Sequence, residues 1–181
     1  LEAAFMEYRQ ALEGAPHLSL NVSPVQLEEP DFAQKLLKVL EETAFPPQRL
    51  EVELTEAALV ADLSAARAVV SALQEKGVRV ALDNFGTGHA SLTQLRLLPF
   101  DKLKIDRSFV RAMTADKEAG VMVRAIISMA RSLGLTVVAE GVDTEEQLTF
   151  LRGYGCDLMQ GHLFGPAAPA EECGEGLAPH G

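Results

Sequence analysis

The sequence predicts an α/β chain built as a (β/α)8 barrel of the TIM type. It is incomplete here, with about six βα units and the N-terminal strands missing. Three observations carry that expectation. Strand-like and helix-like segments alternate, with strand starts at 18, 50, 78, 102, 136 and 158. Spacings of this size are those of βα units, and repeated units imply a parallel sheet covered by helices. The strands also alternate apolar and polar side chains, whereas a doubly wound sheet buried on both faces would show apolar runs. Finally, each strand carries a polar side chain near its C-terminal end, where barrels gather their function.

The first strand is Leu18–Val22, with Asn21 on the Ser19 face. A helix over 31–43 follows, with leucines at i, i+3 and i+4 spacing. In the second strand, Leu50–Thr55, residues Leu50, Val52 and Leu54 share one face and Glu51, Glu53 and Thr55 the other. A helix over 64–76 stops at Gly77, read as its C-cap. The third strand spans 78–83 and puts Asp83 on the face of Arg79. The fourth spans 102–106, with Leu103 and Ile105 opposed to Lys102, Lys104 and Asp106. A helix over 117–133 ends at Gly134, and the fifth strand, Thr136–Glu140, aligns Glu140 with Thr136 and Val138. A helix over 144–154 opens on a capping-box pattern, Thr144 with Gln147, and Leu158–Gln160 is the last strand.

Residues 1–169 are read as the barrel domain and 170–181 as a frayed tail rich in Ala, Pro, Gly and Glu. The 181 residues suit one domain but fall short of the ~250 usual for a complete barrel. Two strands are therefore expected to be missing on the N-terminal side. Leu1 opens in mid-helix pattern with no starting methionine, so a fragment is the expectation.

Composition excludes several classes. Apolar residues make up 48%, which predicts a globular core. The net charge of −10, from 26 acidic and 16 basic residues, argues against general nucleic-acid binding, which needs a basic face. Cys156 and Cys173 form no CxxC pair, and His17, His89, His162 and His180 are scattered, so a disulfide framework and a thiolate zinc site are not expected. No apolar run reaches the ~18 residues of a membrane span, and no secretory signal opens the chain. A cytoplasmic setting is the expectation.

Asn21, Glu53, Asp83, Lys104, Glu140 and Gln160 fall on one sheet face, which packing alone does not explain, because unpartnered buried charges are costly. Carboxylates, amide oxygens and a lysine around one mouth make an oxygen-rich site suited to Mg²⁺ or Mn²⁺ rather than zinc. Two such ions ~4 Å apart could clamp a phosphoryl displacement. Adjacent Asp83 and Asn84 could ligate an ion, and Phe85-Gly86-Thr87-Gly88 gives a loop able to approach closely or flex. Lys104 could orient a water or offset transition-state charge.

Each residue also has a structural reading. Alone, Lys102, Lys104 and Asp106 would be a salt-bridged sheet end, the glycine loop a turn, and Asn21 a strand-end hydrogen-bonding residue. Glu51 is read as a packing or surface residue, Asp143 and Thr144 as helix caps, and His162 as packing near the mouth. Cys156 is read as a small buried hydrophobe, and Lys117, Glu118 and Arg124 as a solvated face.

Six motifs in order then carry a family resemblance: LNVSPVQL at 20–27, EVELTE at 51–56, LDNFGTGHASL at 82–92, LKID at 103–106, AEGVDTEEQ at 139–147 and GCDLMQG at 155–161. Over Leu1 to about Pro169 the chain resembles the EAL domains, bacterial signalling domains that hydrolyse cyclic di-GMP to linear pGpG. The resemblance implies that Asn21, Glu53 and Asp83 hold a first metal ion, Mg²⁺ or Mn²⁺, and that Asp83 bridges to a second beside Asn84. It implies that Lys104 positions the attacking water and that Glu140 is a metal-linked carboxylate. Glu56 resembles the glutamate that anchors the Gly86–Gly88 loop, while Asp106 and Gln160 look like ligand-side contacts. The ribose 3′ oxygen would be the leaving group. A homodimer and attached sensor or cyclase domains are also implied.

Three departures stand out. The glutamate-alanine-leucine tripeptide that names the family is absent in its metal-binding context, Asn84 replaces a usual aspartate, and His89 replaces a usual aromatic. They leave three expectations open: a phosphodiesterase, a degenerate receptor that binds cyclic di-GMP without cutting it, and an interaction scaffold that keeps only the barrel.

Overall fold

The computed structural model describes residues 17–88 and 92–166. The readings that fall on Leu1, His89, Cys173, His180, the tail and the far part of the 84–91 loop lie outside these residues. Six parallel strands stand in sequence order: β1 (Leu18–Val22), β2 (Leu50–Thr55), β3 (Arg79–Phe85), β4 (Lys102–Ile105), β5 (Thr136–Glu140) and β6 (Leu158–Gln160). Each strand pairs in parallel with the next, the order of a barrel sheet rather than of a doubly wound one.

The outer face of this sheet is the core. Leu50, Val52 and Leu54 of β2, Val80 and Leu82 of β3, Leu103 and Ile105 of β4, and Val137 and Ala139 of β5 are completely buried. Helices cover them: α1 (Pro24–Leu27), α2 (Phe32–Glu42), α3 (Glu56–Ala61), α4 (Leu63–Gln74), α5 (Leu92–Leu97), α6 (Arg107–Ala112), α7 (Lys117–Ser132) and α8 (Glu145–Gly153). α2 supplies Leu36 and Leu40, α4 Val70 and Leu73, α7 Ile126 and Ile127, and α8 Leu151. Each such side chain contributes about 1.5–3 kcal/mol by leaving water.

Local chemistry sets the helix ends. Asp62 accepts from the Ser64 and Ala65 amides and Asp116 from the Glu118 amide. Thr144 and Gln147 form the expected capping box. α4 runs from Leu63 to Gln74, and Gly77, left-handed at φ +87°, closes it as expected: the Gly77 amide donates to the Gln74 carbonyl at 2.9 Å and the Val78 amide to the Leu73 carbonyl at 3.1 Å, the bond pair of a Schellman cap. Several boundaries differ from the sequence reading. β3 continues past Asp83 to Phe85. Asp106 ends no strand: it caps α6 by accepting from the Ser108 amide at 2.8 Å. Asp143 is not a helix cap either, because its carboxylate turns to His162 and Arg111.

Candidate active site

The concave face begins as a tier of register partners, Asn21, Glu53, Ala81, Lys102 and Thr136, set level across β1 to β5. Lys104 rises one step nearer the mouth. Its ammonium lies 2.6 Å from Glu140, 2.7 Å from Glu53 and 3.7 Å from Asp83, with Lys104 only 8% exposed. Burial pushes this ammonium toward the neutral form, but the hydrogen bonds to Glu140 and Glu53 outweigh it, and the pKa rises above the ordinary lysine value. Lys104 therefore stays charged at neutral pH. Three carboxylates facing one ammonium leave an excess of negative charge in a buried place, which a further cation would relieve.

A bulge aims Asp83. Leu82 pairs with Leu103 and Phe85 with Ile105, so Asp83 and Asn84 together stand opposite Lys104 alone. Asn84 takes the left-handed conformation at φ +55°, which asparagine tolerates better than most residues. Asp83 accepts from the Asn84 amide at 2.8 Å and from its side-chain nitrogen at 3.0 Å.

The loop that follows is tied down from below. Buried Glu56, the first residue of α3, accepts from the Gly86 amide at 2.7 Å. Thr87 donates its hydroxyl to the Asn84 carbonyl at 2.8 Å. Both glycines are needed for contact. A Cβ on Gly86 would lie 2.7 Å from the Phe109 ring, and one on Gly88 would collide with the Glu56 carboxylate.

The other candidate residues are more dispersed. Asn21, exposed, faces Glu53 across β1 and β2. Gln160, exposed, is level with Glu140. Gln160 lines a cleft of about 360 Å³ together with Arg107, Arg111, Glu140, Asp143 and His162. A second cleft of about 650 Å³, mostly apolar, runs between α3 and the glycine loop, past Val60, Asn84, Thr87 and Asp106. A third, of about 700 Å³, lies away from the mouth beside α2 and Pro46–Pro47.

Sequence reasoning missed two groups. Arg107 and Arg111, four residues apart on α6, face the first cleft; their i, i+4 spacing after the Asp106 cap was the available signal. His162, read as packing, is exposed and bonds Asp143 through its ring at 3.1 Å and its amide at 3.3 Å. These His162 bonds hold the Asp143 carboxyl below its ordinary range.

As a metal site, the donors have the right chemistry and the wrong focus. Glu53, Asp83 and Glu140 are oxygen ligands in negative surplus, fit for a hard divalent cation. Among the described residues, however, no three Asp, Glu, His or Cys side chains form a ready metal-holding group. The carboxylates converge on Lys104 instead.

Comparison with known proteins identifies the family. The family model described as the EAL domain matches residues 1–167. An uncharacterized signaling protein of Caulobacter vibrioides is 45% identical over 161 residues, covering 89% of this chain and 20% of its own length. The Pseudomonas aeruginosa bifunctional diguanylate cyclase/cyclic di-GMP phosphodiesterase MucR is 35% identical, covering 95% and 26%. The cyclic di-GMP phosphodiesterase NbdA of the same organism is 40% identical, covering 86% and 20%. The chain thus spans about a fifth to a quarter of the length of these relatives. Among solved structures, the PaMucR phosphodiesterase in complex with c-di-GMP superimposes with a TM-score of 0.89 at 34% identity, covering 95% of this chain and 71% of that one. The EAL domain of Mycobacterium smegmatis DcpA gives 0.88 at 36% identity, covering 98% and 82%. Klebsiella pneumoniae BlrP1 with manganese and cyclic di-GMP gives 0.83 at 31% identity, covering 91% and 42%.

Proposed function

The chain belongs to the EAL domain family, and from that premise we propose that it is the domain of a larger bacterial signalling protein that hydrolyses cyclic di-GMP to pGpG. The observation that carries the reading is the buried Lys104 ammonium held among Glu53, Glu140 and Asp83. A structural lysine needs one partner; this one sits in a surplus of carboxylates at the mouth of the sheet.

Asn21, Glu53, Asp83, Asn84 and Glu140 would hold Mg²⁺ or Mn²⁺. Bound there, the ions would polarise the phosphodiester and make water a better nucleophile. Calcium and manganese complexes of BlrP1 with cyclic di-GMP support a divalent ion in this family. Because Lys104 remains protonated, it acts as a hydrogen-bond donor and not as a base. It orients the water and offsets charge gathering on the phosphoryl oxygens. A P–O bond forms to water, the bond to the ribose 3′ oxygen breaks, and a proton passes to that oxygen. Glu56 holds Gly86, and through it Asn84, at the edge of the reacting centre. Gln160 and Asp106 would be the contacts to the nucleotide. The domain works in the cytoplasm, as a homodimer, under attached sensor or cyclase domains. Among the described residues, no helix is long and apolar enough to cross a membrane.

A second reading, a receptor that binds cyclic di-GMP without cutting it, is favoured by one feature. Asn84 brings no charge to the position beside Asp83, which would weaken a second metal ion. Hydrolysis by the full chain in Mn²⁺, with and without Asn84→Asp, separates the two. Turnover by the natural chain that rises in the variant supports the phosphodiesterase. Tight binding with no pGpG in either supports the receptor. No binding of the dinucleotide, and no thermal stabilisation by it, would leave only a scaffold.

A further inference from the structure

Two lysines, not one, cross β3. Lys104 reaches Glu53 on β2 at 2.7 Å, and Lys102 reaches Glu51 on the same strand at 2.6 Å. They can cross because β3 presents Ala81 between them, fully buried and too short to intervene.

The register makes the partner of Lys102 a real choice. Glu53 is level with Ala81, and Ala81 is level with Lys102. Lys102 thus stands level with Glu53, not with Glu51. Level residues on β2 and β4 are two strand spacings apart, about 10 Å, and Glu51 lies a further two residues, about 6.6 Å, along the strand. Yet Lys102 takes the more distant glutamate, in a pair whose side chains are 14% and 5% exposed. Glu53 is left to Lys104. Glu51 has no part in the mouth itself. Its register neighbour on β3 is Arg79, whose guanidinium turns to His17.

We infer that Glu51 is a positioning residue that draws the Lys102 ammonium away from Glu53, leaving Glu53 free to serve Lys104 and a divalent cation. Without Glu51, the buried carboxylate level with Lys102 is Glu53, and two ammonium groups would then share a group that also has to bind metal. The metal clause rests on the phosphodiesterase reading. The division of side chains between the two lysines does not.

The test is made on the full chain. Glu51→Gln removes the charge with little change of shape. A crystal structure of this variant is expected to show Lys102 Nζ in hydrogen-bond contact with Glu53. Mn²⁺ binding, followed by paramagnetic resonance of the free ion, is expected to weaken about tenfold, the lower end of what losing an outer-shell partner costs a metal site. The double variant Glu51→Gln/Lys102→Met removes the displaced ammonium as well, and Mn²⁺ affinity is expected to recover to within about twofold of the natural chain, since removing both members of a buried pair is often neutral.

A Glu51 that only stabilised the fold would lower the melting temperature, leave Mn²⁺ affinity unchanged and gain nothing from Lys102→Met. That result overturns the inference. If Glu51→Gln does not fold, Glu51→Asp keeps the charge but withdraws it by one methylene. Lys102 found on Glu53 there supports the inference; Lys102 still on residue 51, with unchanged Mn²⁺ affinity, overturns it. If this pattern holds but cyclic di-GMP stays intact, the hydrolytic reading fails and the positioning role stands. If hydrolysis proceeds and Glu51→Gln leaves Mn²⁺ binding unchanged, the positioning role fails alone.

Discussion

The two faces of the sheet are made by the same strands and obey opposite rules. On the outer face, Leu54, Leu82, Leu103 and Val137 are fully buried among helices and need only shape and apolarity. On the concave face, Glu53, Asp83, Lys104 and Glu140 are held close together with more negative than positive charge. The outer face therefore sets stability and the inner face sets chemistry. A period of two separates them, so adjacent residues of one strand belong to different problems.

Substitutions that dissociate the two properties test this contrast. Lys104→Ala and Glu53→Gln are expected to cut cyclic di-GMP hydrolysis by roughly a hundredfold or more, the scale for losing a preorganised electrostatic contact. Steady-state rates on chains shown to be folded check this, and near-normal rates in both would remove the assigned site. Leu82→Ala, one residue from Asp83, should do the reverse. It is expected to cost about 2–5 kcal/mol in denaturant unfolding while each folded molecule keeps most of its activity.

Glu56→Ala sharpens the contrast at its boundary. The Gly86 amide would lose its carboxylate acceptor, and its hydrogen exchange is expected to speed up by about tenfold, the scale of losing a charged hydrogen bond. Unchanged exchange at Gly86 would mean the loop is held by other contacts. The smallest effect concerns Cys156, buried against β5. Burial pushes its thiol up to about 11 from an ordinary 9.0. Because the folded value is raised, the folded state favours the neutral thiol, and the stability it carries is complete below about pH 9 and is lost as pH rises through about 11. A disulfide reagent should accordingly react slowly with Cys156 in the native chain at pH 8 and quickly once the chain is unfolded.

The sheet was legible in the sequence because alternation such as that of Leu50–Thr55 is local, and four of the six strands keep the bounds read from it. The capping box of Thr144 and Gln147 was legible for the same reason. What the sequence hid depends on neighbours far along the chain. The bulge at Asp83–Asn84 exists only relative to β4, so β3 read as ending two residues early. Asp143 resembled a helix cap until His162 and Arg111 gave its carboxylate other partners. Asp106 followed a strand pattern closely enough to hide the local Asp-x-Ser cap. Glu51 read as bland because nothing in LEVELT reveals a lysine 51 residues away, the same separation that joins Glu53 to Lys104.

The most direct measurement is a time course of cyclic di-GMP in Mn²⁺ with the full chain and its Lys104→Ala variant, with products separated by chromatography. The charged cluster at the mouth, if it is the reacting centre, yields pGpG from the natural chain and almost none from the variant. Equal pGpG from both, or intact cyclic di-GMP with both, would contradict it.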